Sequence, residues 1–354
     1  SKIVREHLLK NGILEIMINF NEARVFDKIN SNILIFKFIK TKSSNDNKIK
    51  IIKLDHKRNV GNEDITNLNN LLNKLNQEDE IYYKEISAYN HKQFANSDPW
   101  NPLPLSIEPV ILKIEKASDS KLGDIVHIGN GMVSGLDRAF KLEDVSYLSE
   151  KEKKRLIKVV KASNLRKYYN KDFFYYIFIN NINQESELQE LPNIRKKLYG
   201  YKSELDKRYS YGIKIPWWHW VFLRNKKLIE QSPKIVVPCK ERFDAKGYVR
   251  FSLVEGDFYV TQDATAIIKK EDVQEDIRYI LAILNSKIIF EWLKNKGLKR
   301  GGVLEFSEKP LSQIPIRRIN WKSEKEVKIY NNIIEIIQNK KIHVSSRKKT
   351  EESK

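Results

Sequence analysis

Apolar positions change period several times along the chain, and each change marks an element. Ile3, Val4, His7 and Leu8 recur at helical spacing behind Ser1, a good N-cap, and Gly12 stops the run, so Ser1–Lys10 reads as a short amphipathic helix. Ile13–Phe20 then reads as a strand, Asn21–Asn32 as a polar connection holding Val25-Phe26, and Ile33–Ile39 as a near-continuous apolar run. Such a run is the pattern of a strand covered on both faces. After the polar stretch Thr41–Asn47 come a strand at Ile49–Leu54 and a helix near Ile65–Leu75. Ser97–Pro104 is crowded with turn formers and reads as a domain boundary.

Beyond that boundary the spacing predicts a helix at Val110–Lys116, a strand at Ile125–Ile128, a glycine-rich loop from Gly129 to Gly135 and a second strand at Leu136–Leu142. Ser149–Leu165 reads as a very basic helical region, Phe173–Asn180 as an aromatic strand and Ile194–Arg208 as one charged helix. Strands are expected at Lys234–Pro238, Phe251–Val254 and Phe258–Val260, and a helix at Ile277–Glu291. Ile342–Lys354 is basic and expected to fray. No internal repeat is visible. The fold class is α+β, and 354 residues suit two domains or one large domain with a remnant of another.

Composition adds a partner to this outline. The hydrophobic fraction of 41% supports a folded core, while 65 Lys+Arg against 46 Asp+Glu leave a net charge of +19. That excess attracts polyanions, nucleic acid before an anionic membrane, because no segment approaches the about 20 apolar residues of a membrane-spanning helix. The single cysteine, Cys239, excludes an internal disulfide framework or a cysteine-built zinc site. The six histidines are scattered without metal-ligand spacing. No signal peptide opens the chain, so a cytoplasmic location is expected; the absent initiating Met points to a cut or processed polypeptide.

Two motifs fall short of the sites they resemble. Gly129-Asn130-Gly131-Met132-Val133-Ser134-Gly135 lacks the strand–turn–helix setting of a dinucleotide loop and reads as a tight bend beside a phosphate or a groove. Asp98-Pro99-Trp100 lacks one proline of the Asp/Asn-Pro-Pro-aromatic motif of amino-methylating enzymes and reads as a linker turn. Bases interleaved with aromatics form the broader signal: Arg195, Lys196, Lys197, Lys202, Lys207 and Arg208, then Trp217, Trp218, Trp220 and Phe222, then Arg224. Lys and Arg neutralise phosphates and aromatics stack on bases, although the tryptophans suit a core somewhat better.

In order along the chain, Gly123-Asp124-Ile125, Gly129-Asn130-Gly131, Ser134–Phe140, Asn164–Tyr168, Phe174–Ile177, Leu191–Arg208, Trp217–Arg224, Lys234–Pro238, Leu281–Ser286 and Ile314-Pro315-Ile316 resemble the TaqI-type C-terminal specificity domain over roughly Glu108–Ile319. The first forty residues resemble the end of the catalytic sheet of an adenine-N6 DNA methyltransferase of the same type. The resemblance implies a remnant of a Rossmann-like methyltransferase sheet at 1–42, a connecting segment at 43–105, a mixed α/β target-recognition domain at 106–322 and a C-terminal helix and basic tail at 323–354.

It also implies recognition of double-stranded DNA within a restriction-modification system. Phe26 matches the aromatic that stacks on a flipped adenine, a role that stands beside that of a plain core aromatic. The residues expected on DNA are Arg138, Lys141, Arg166, Lys167, Arg195, Lys196, Arg208, Arg224, Lys299 and Arg300, with Gly129, Gly131 and Gly135 shaping the loop. The family's methyl-donor loop and Asn-Pro-Pro-aromatic strand are missing from this sequence. S-adenosylmethionine is therefore expected in the full-length parent and not in this chain, which is not expected to methylate alone. The missing catalytic portion would be its other partner, and relatives also carry a nuclease. The alternative is a separate specificity subunit that complements a catalytic or nuclease subunit.

Overall fold

The computed structural model describes residues 2–19, 33–41, 48–54, 83–90, 107–210, 212, 214–243, 247–300 and 303–351. Phe26, the expected helix near Ile65–Leu75 and Asp98-Pro99-Trp100 lie outside them. The chain divides into two compact units, Ser1–Lys113 and Ile114–Lys354.

The first unit opens with the helix Lys2–Asn11 and continues into β1 (Gly12–Asn19), β2 (Leu34–Lys40), β3 (Lys48–Leu54) and β4 (Tyr83–Asn90). These form one sheet in the order β2-β1-β3-β4. β1 runs antiparallel to β2 and parallel to β3. Leu14, Met17 and Ile18 of β1 are buried; the step from 14 to 17 breaks a two-residue alternation at the point where the β1–β2 register shifts. The apolar run at Ile33–Ile39 is a correction to the sequence reading. It is the outermost strand of the described sheet, and Leu34, Phe36 and Ile39 are 38–41% exposed, so the described residues do not cover it on both faces.

The second unit runs through β5 (Ser120–Lys121), β6 (Val126–Asn130), β7 (Lys141–Leu142), β8 (Leu156–Val160), β9 (Tyr168–Tyr169), β10 (Phe174–Ile177), β11 (Lys234–Pro238), β12 (Lys240–Arg242), β13 (Ser252–Val254), β14 (Phe258–Val260), β15 (Ala264–Lys269), β16 (Lys299–Arg300), β17 (Val303–Glu305) and β18 (Pro315–Ile316). They assemble as a five-stranded sheet β6-β15-β11-β13-β9, a four-stranded sheet β14-β8-β10-β7, a ribbon β12-β17-β16 and the short pair β18-β5. Every residue of β11 is buried, as the apolar run Ile235–Pro238 suggests, and Lys234 at its start is buried too, donating to Gln231 O at 2.8 Å.

One core joins the two larger sheets. Val236, Val254, Ala266 and Ile268 meet Val159, Val160, Tyr176 and Ile177 there, with Trp217, Trp218 and Trp220 among them. The tryptophans are therefore core residues. Trp220 is 1% exposed, donates its indole N–H to Ile177 O at 2.9 Å and lies edge-on to Phe140, Tyr176 and Phe178.

Several elements break where a continuous one was expected. Leu136–Leu142 is a helical turn, Asp137–Phe140, followed by two strand residues. Ser149–Leu165 is the turn Glu150–Lys153 followed by β8. Ile194–Arg208 divides into helices Pro192–Tyr199 and Lys202–Lys207, on either side of Gly200-Tyr201. Ile277–Glu291 divides at Asn285-Ser286, where Ser286 caps a new helix, Lys287–Lys296, by accepting from Ile289 N. At the C-terminus a helix runs over Glu324–Glu351. Among the described residues no helix is long and apolar enough to cross a membrane.

Candidate nucleic-acid interface

The glycine-rich loop follows β6 and is hydrogen-bonded along its length. Gly131 N donates to Ala264 O at 3.0 Å and Met132 N to Val260 O at 2.9 Å, while Val133 and Phe222 exchange bonds of 2.9 and 3.1 Å. Its carbonyls are capped by side chains from one later segment: Asn130 O by Asn225 Nδ2 at 2.9 Å, Gly131 O by Arg224 Nε at 2.8 Å and Ser134 O by Arg208 Nη1 at 2.8 Å. The amides of 131–133 are thus already engaged and do not form a phosphate cradle. A Cβ at position 131 would lie 2.2 Å from Thr261 O, and Gly135 has φ +82°, so at both positions a larger residue would force the backbone to move.

Arg208 is the centre of this clasp. Its guanidinium donates to Ser134 O, to Trp217 O at 3.0 Å and to His219 O, and lies 5.6 Å from the Phe140 ring centroid. Burial lowers its pKa to about 10. The geometry gives Arg208 a structural task, and Arg224 a similar one at Gly131. Behind the loop, Lys161 pairs with Asp137 and, at 3.6 Å, with Asp263. Asp137 accepts from Ser134 Oγ at 2.5 Å and Tyr176 OH at 3.4 Å; Asp263 accepts from Ala162 N at 3.0 Å and Thr261 Oγ1 at 2.7 Å. Burial, then the negative charge of Asp137, pushes the Tyr176 phenol well above its usual pKa, so it stays a donor. Nothing in the local sequence marked Lys161, Asp137 or Asp263 as one network, since they converge from three separate elements.

Other expected bases reach the surface. Arg138 is exposed and pairs with Glu204. Arg195 and Lys196 are exposed on the helix Pro192–Tyr199, where the Arg195 guanidinium lies 5.0 Å from the Tyr199 ring centroid. That helix is pinned by buried Glu152, which accepts from Asn193 N at 2.7 Å and Ile194 N at 3.1 Å. Burial alone would raise the Glu152 pKa, but the bonds from Asn193, Ser149 and Ile194 outweigh it and hold it at about 2. Lys141 sits 3.7 Å over the Phe174 ring and pairs with Glu143 at 2.8 Å.

A second group gathers around the ribbon. Arg166 Nη1 donates to Ser163 O and Leu165 O, both at 2.8 Å, within its own turn. Lys167 lies 5.4 Å from the Tyr168 ring and 5.9 Å from that of Tyr248. Lys299 and Arg300 form β16, with Lys299 Nζ 5.6 Å from the Phe243 ring. Lys240 and Arg242, exposed on β12, join this group and were missed in the sequence because a three-residue strand has no pattern of its own.

A depression of about 650 Å³ beside the cis Ser232–Pro233 bond has no aromatic lining to cover an adenine ring. Its Lys269 and Lys270 donate to backbone carbonyls, and Arg278 is paired with Asp276 and Glu255, both at 3.0 Å.

Residues 157–316 match the TaqI-like C-terminal specificity domain. The chain is 40% identical over 353 residues to the type II methyltransferase M.HindII of Haemophilus influenzae, covering 95% of this chain and 64% of that protein. It is 34% identical over 227 residues to the type II methyltransferase M.MjaIV of Methanocaldococcus jannaschii, covering 62% of this chain and 74% of that one. The chain thus spans somewhat under two thirds of M.HindII. The solved structure of the type IIL restriction-modification enzyme MmeI in complex with DNA aligns with a TM-score of 0.57 at 10% identity, over 94% of this chain and 38% of that one, a likeness of fold.

Proposed function

The chain belongs to the type II methyltransferases, and from that membership we propose that it is the DNA-reading portion of an adenine-N6 enzyme, whose S-adenosylmethionine site is supplied by polypeptide outside this sequence. The observation that carries the reading is the coincidence of the specificity-domain match with bases on the second unit, of which Arg138, Arg195, Lys196 and Lys299 are exposed. The bases assigned to DNA are Arg138, Lys141, Lys167, Arg195, Lys196, Lys299 and Arg300, held on a frame made rigid by the Arg208 and Arg224 clasps. Cations on such a frame neutralise phosphates at fixed positions, which sets register before any base is read.

The first unit supplies the edge of the catalytic sheet in this reading, and Phe26 stacks on the extruded adenine. The test is fluorescence anisotropy of a labelled duplex titrated with the chain. Binding at about 50 mM salt that weakens steeply as salt rises is expected, since counterion release makes affinity salt-dependent. No binding at low salt, or binding without a salt slope, would defeat the proposal.

A further inference from the structure

The ribbon β12-β17-β16 has two unlike faces. On one, Leu304 is fully buried and Glu241 is 3% exposed, and only Lys299, opposite Leu304 on the outer strand, is exposed. On the other, pairing sets Lys240 opposite Glu305, then Arg242 opposite Val303, which in turn faces Arg300. The first of these rows joins opposite charges, the usual stabilising arrangement across strands. The second is Arg–Val–Arg with no carboxylate on it. Arg242 is exposed and Val303 half-buried.

The ribbon is held firmly to the unit. Arg250 Nε donates to Glu241 Oε2 at 2.8 Å, and its Nη1 donates to Ala162 O and Leu165 O, both at 3.2 Å. That bridge connects the buried side of the ribbon to the turn carrying Arg166 and Lys167. Strand spacing of about 4.8 Å puts the backbones of residues 242 and 300 about 10 Å apart. The major groove of B-DNA is about 12 Å wide and admits side chains from a β-ribbon.

We propose that the exposed face of this ribbon reads duplex DNA from the major groove and that Arg242 is a specificity-determining residue. The inference rests on the DNA-reading function proposed above. Arginine at the row suits guanine, whose O6 and N7 accept the two parallel donors of a guanidinium; lysine has the charge without that fork. Lys167, beside Tyr168 and Tyr248, flanks the ribbon where a phosphate would run.

The test is enrichment of a randomised duplex pool by the whole chain, followed by affinity measurements on the enriched sequence and its single-pair changes. Arg242→Ala and Arg242→Lys should each lose about tenfold or more of the preference at one G·C pair and leave the other positions unchanged. The lysine variant should bind non-specific duplex as wild type does, and it keeps the test valid if the alanine variant fails to fold. An unchanged preference in both variants would overturn the assignment. So would a uniform affinity loss in Arg242→Ala that Arg242→Lys restores, the signature of a phosphate contact. If the wild-type chain enriches no sequence, the DNA-reading function itself fails; if it enriches one that neither variant alters, only the role of the ribbon fails.

Discussion

Arg208 and Arg242 carry the same guanidinium within one folded unit, but their surroundings set them to different work. Arg208 donates to the carbonyls of Ser134, Trp217 and His219 and lies against Phe140, so its charge is spent inside the protein. Arg242 stands exposed on a three-residue strand, in a row without acidic residues. A half-buried cation that satisfies carbonyls holds loops together, whereas an exposed cation on a rigid strand can meet a ligand. Net charge alone does not distinguish them, and part of the +19 is structural.

The largest effect should come from the internally bonded side of this contrast. Arg208→Met leaves several half-buried carbonyls without donors and should cost about 3–5 kcal/mol in urea unfolding. A variant of unchanged stability with a flattened salt slope in DNA binding would reverse the contrast. Glu152→Gln should cost about 2 kcal/mol, because the carboxylate receives bonds from Ser149, Asn193 and Ile194. The Glu152 pKa is lowered to about 2 from an ordinary 4.5, so its contribution is complete above pH 4.5 and is lost as pH falls toward 2. Acid titration of wild type against Glu152→Gln should show the two stability curves converging over that interval.

Gly131→Ala drives a Cβ against Thr261 O and should cost about 1–3 kcal/mol. Thermal denaturation checks it, and a neutral result would mean that the loop yields more easily than its bonds suggest. Arg138→Ala should have the smallest effect on folding, under about 1 kcal/mol, since its ion pair with Glu204 is exposed. It should still reduce the slope of log affinity against log salt by about 1, uniformly across sequences. Loss of stability without a change in slope would move Arg138 into the class of Arg208.

Legibility in the sequence followed how local the determinant was. β11 was plain, because Ile235–Pro238 gives four consecutive apolar positions, although the burial of Lys234 at its start was not signalled. The single helix expected over Ile194–Arg208 was not found, because charge density does not report the turn at Gly200-Tyr201. The glycine loop was located correctly but not its purpose: its glycines admit the Thr261 backbone and a left-handed turn, and its amides are used internally. Among the ten bases expected on DNA, Arg208 and Arg224 proved to be clasps, while Lys240 and Arg242 had gone unremarked.

The sequence alone determined the class of element in most segments, the basic character of the molecule and the ordered motifs of a specificity domain, because propensity, period and charge are properties of neighbouring residues. Tertiary structure alone decided which cations remain available. Whether a guanidinium meets carbonyls or solvent depends on strands brought together from distant parts of the chain: Ser134 lies 74 residues from Arg208, and Arg242 meets Val303 only by cross-strand register.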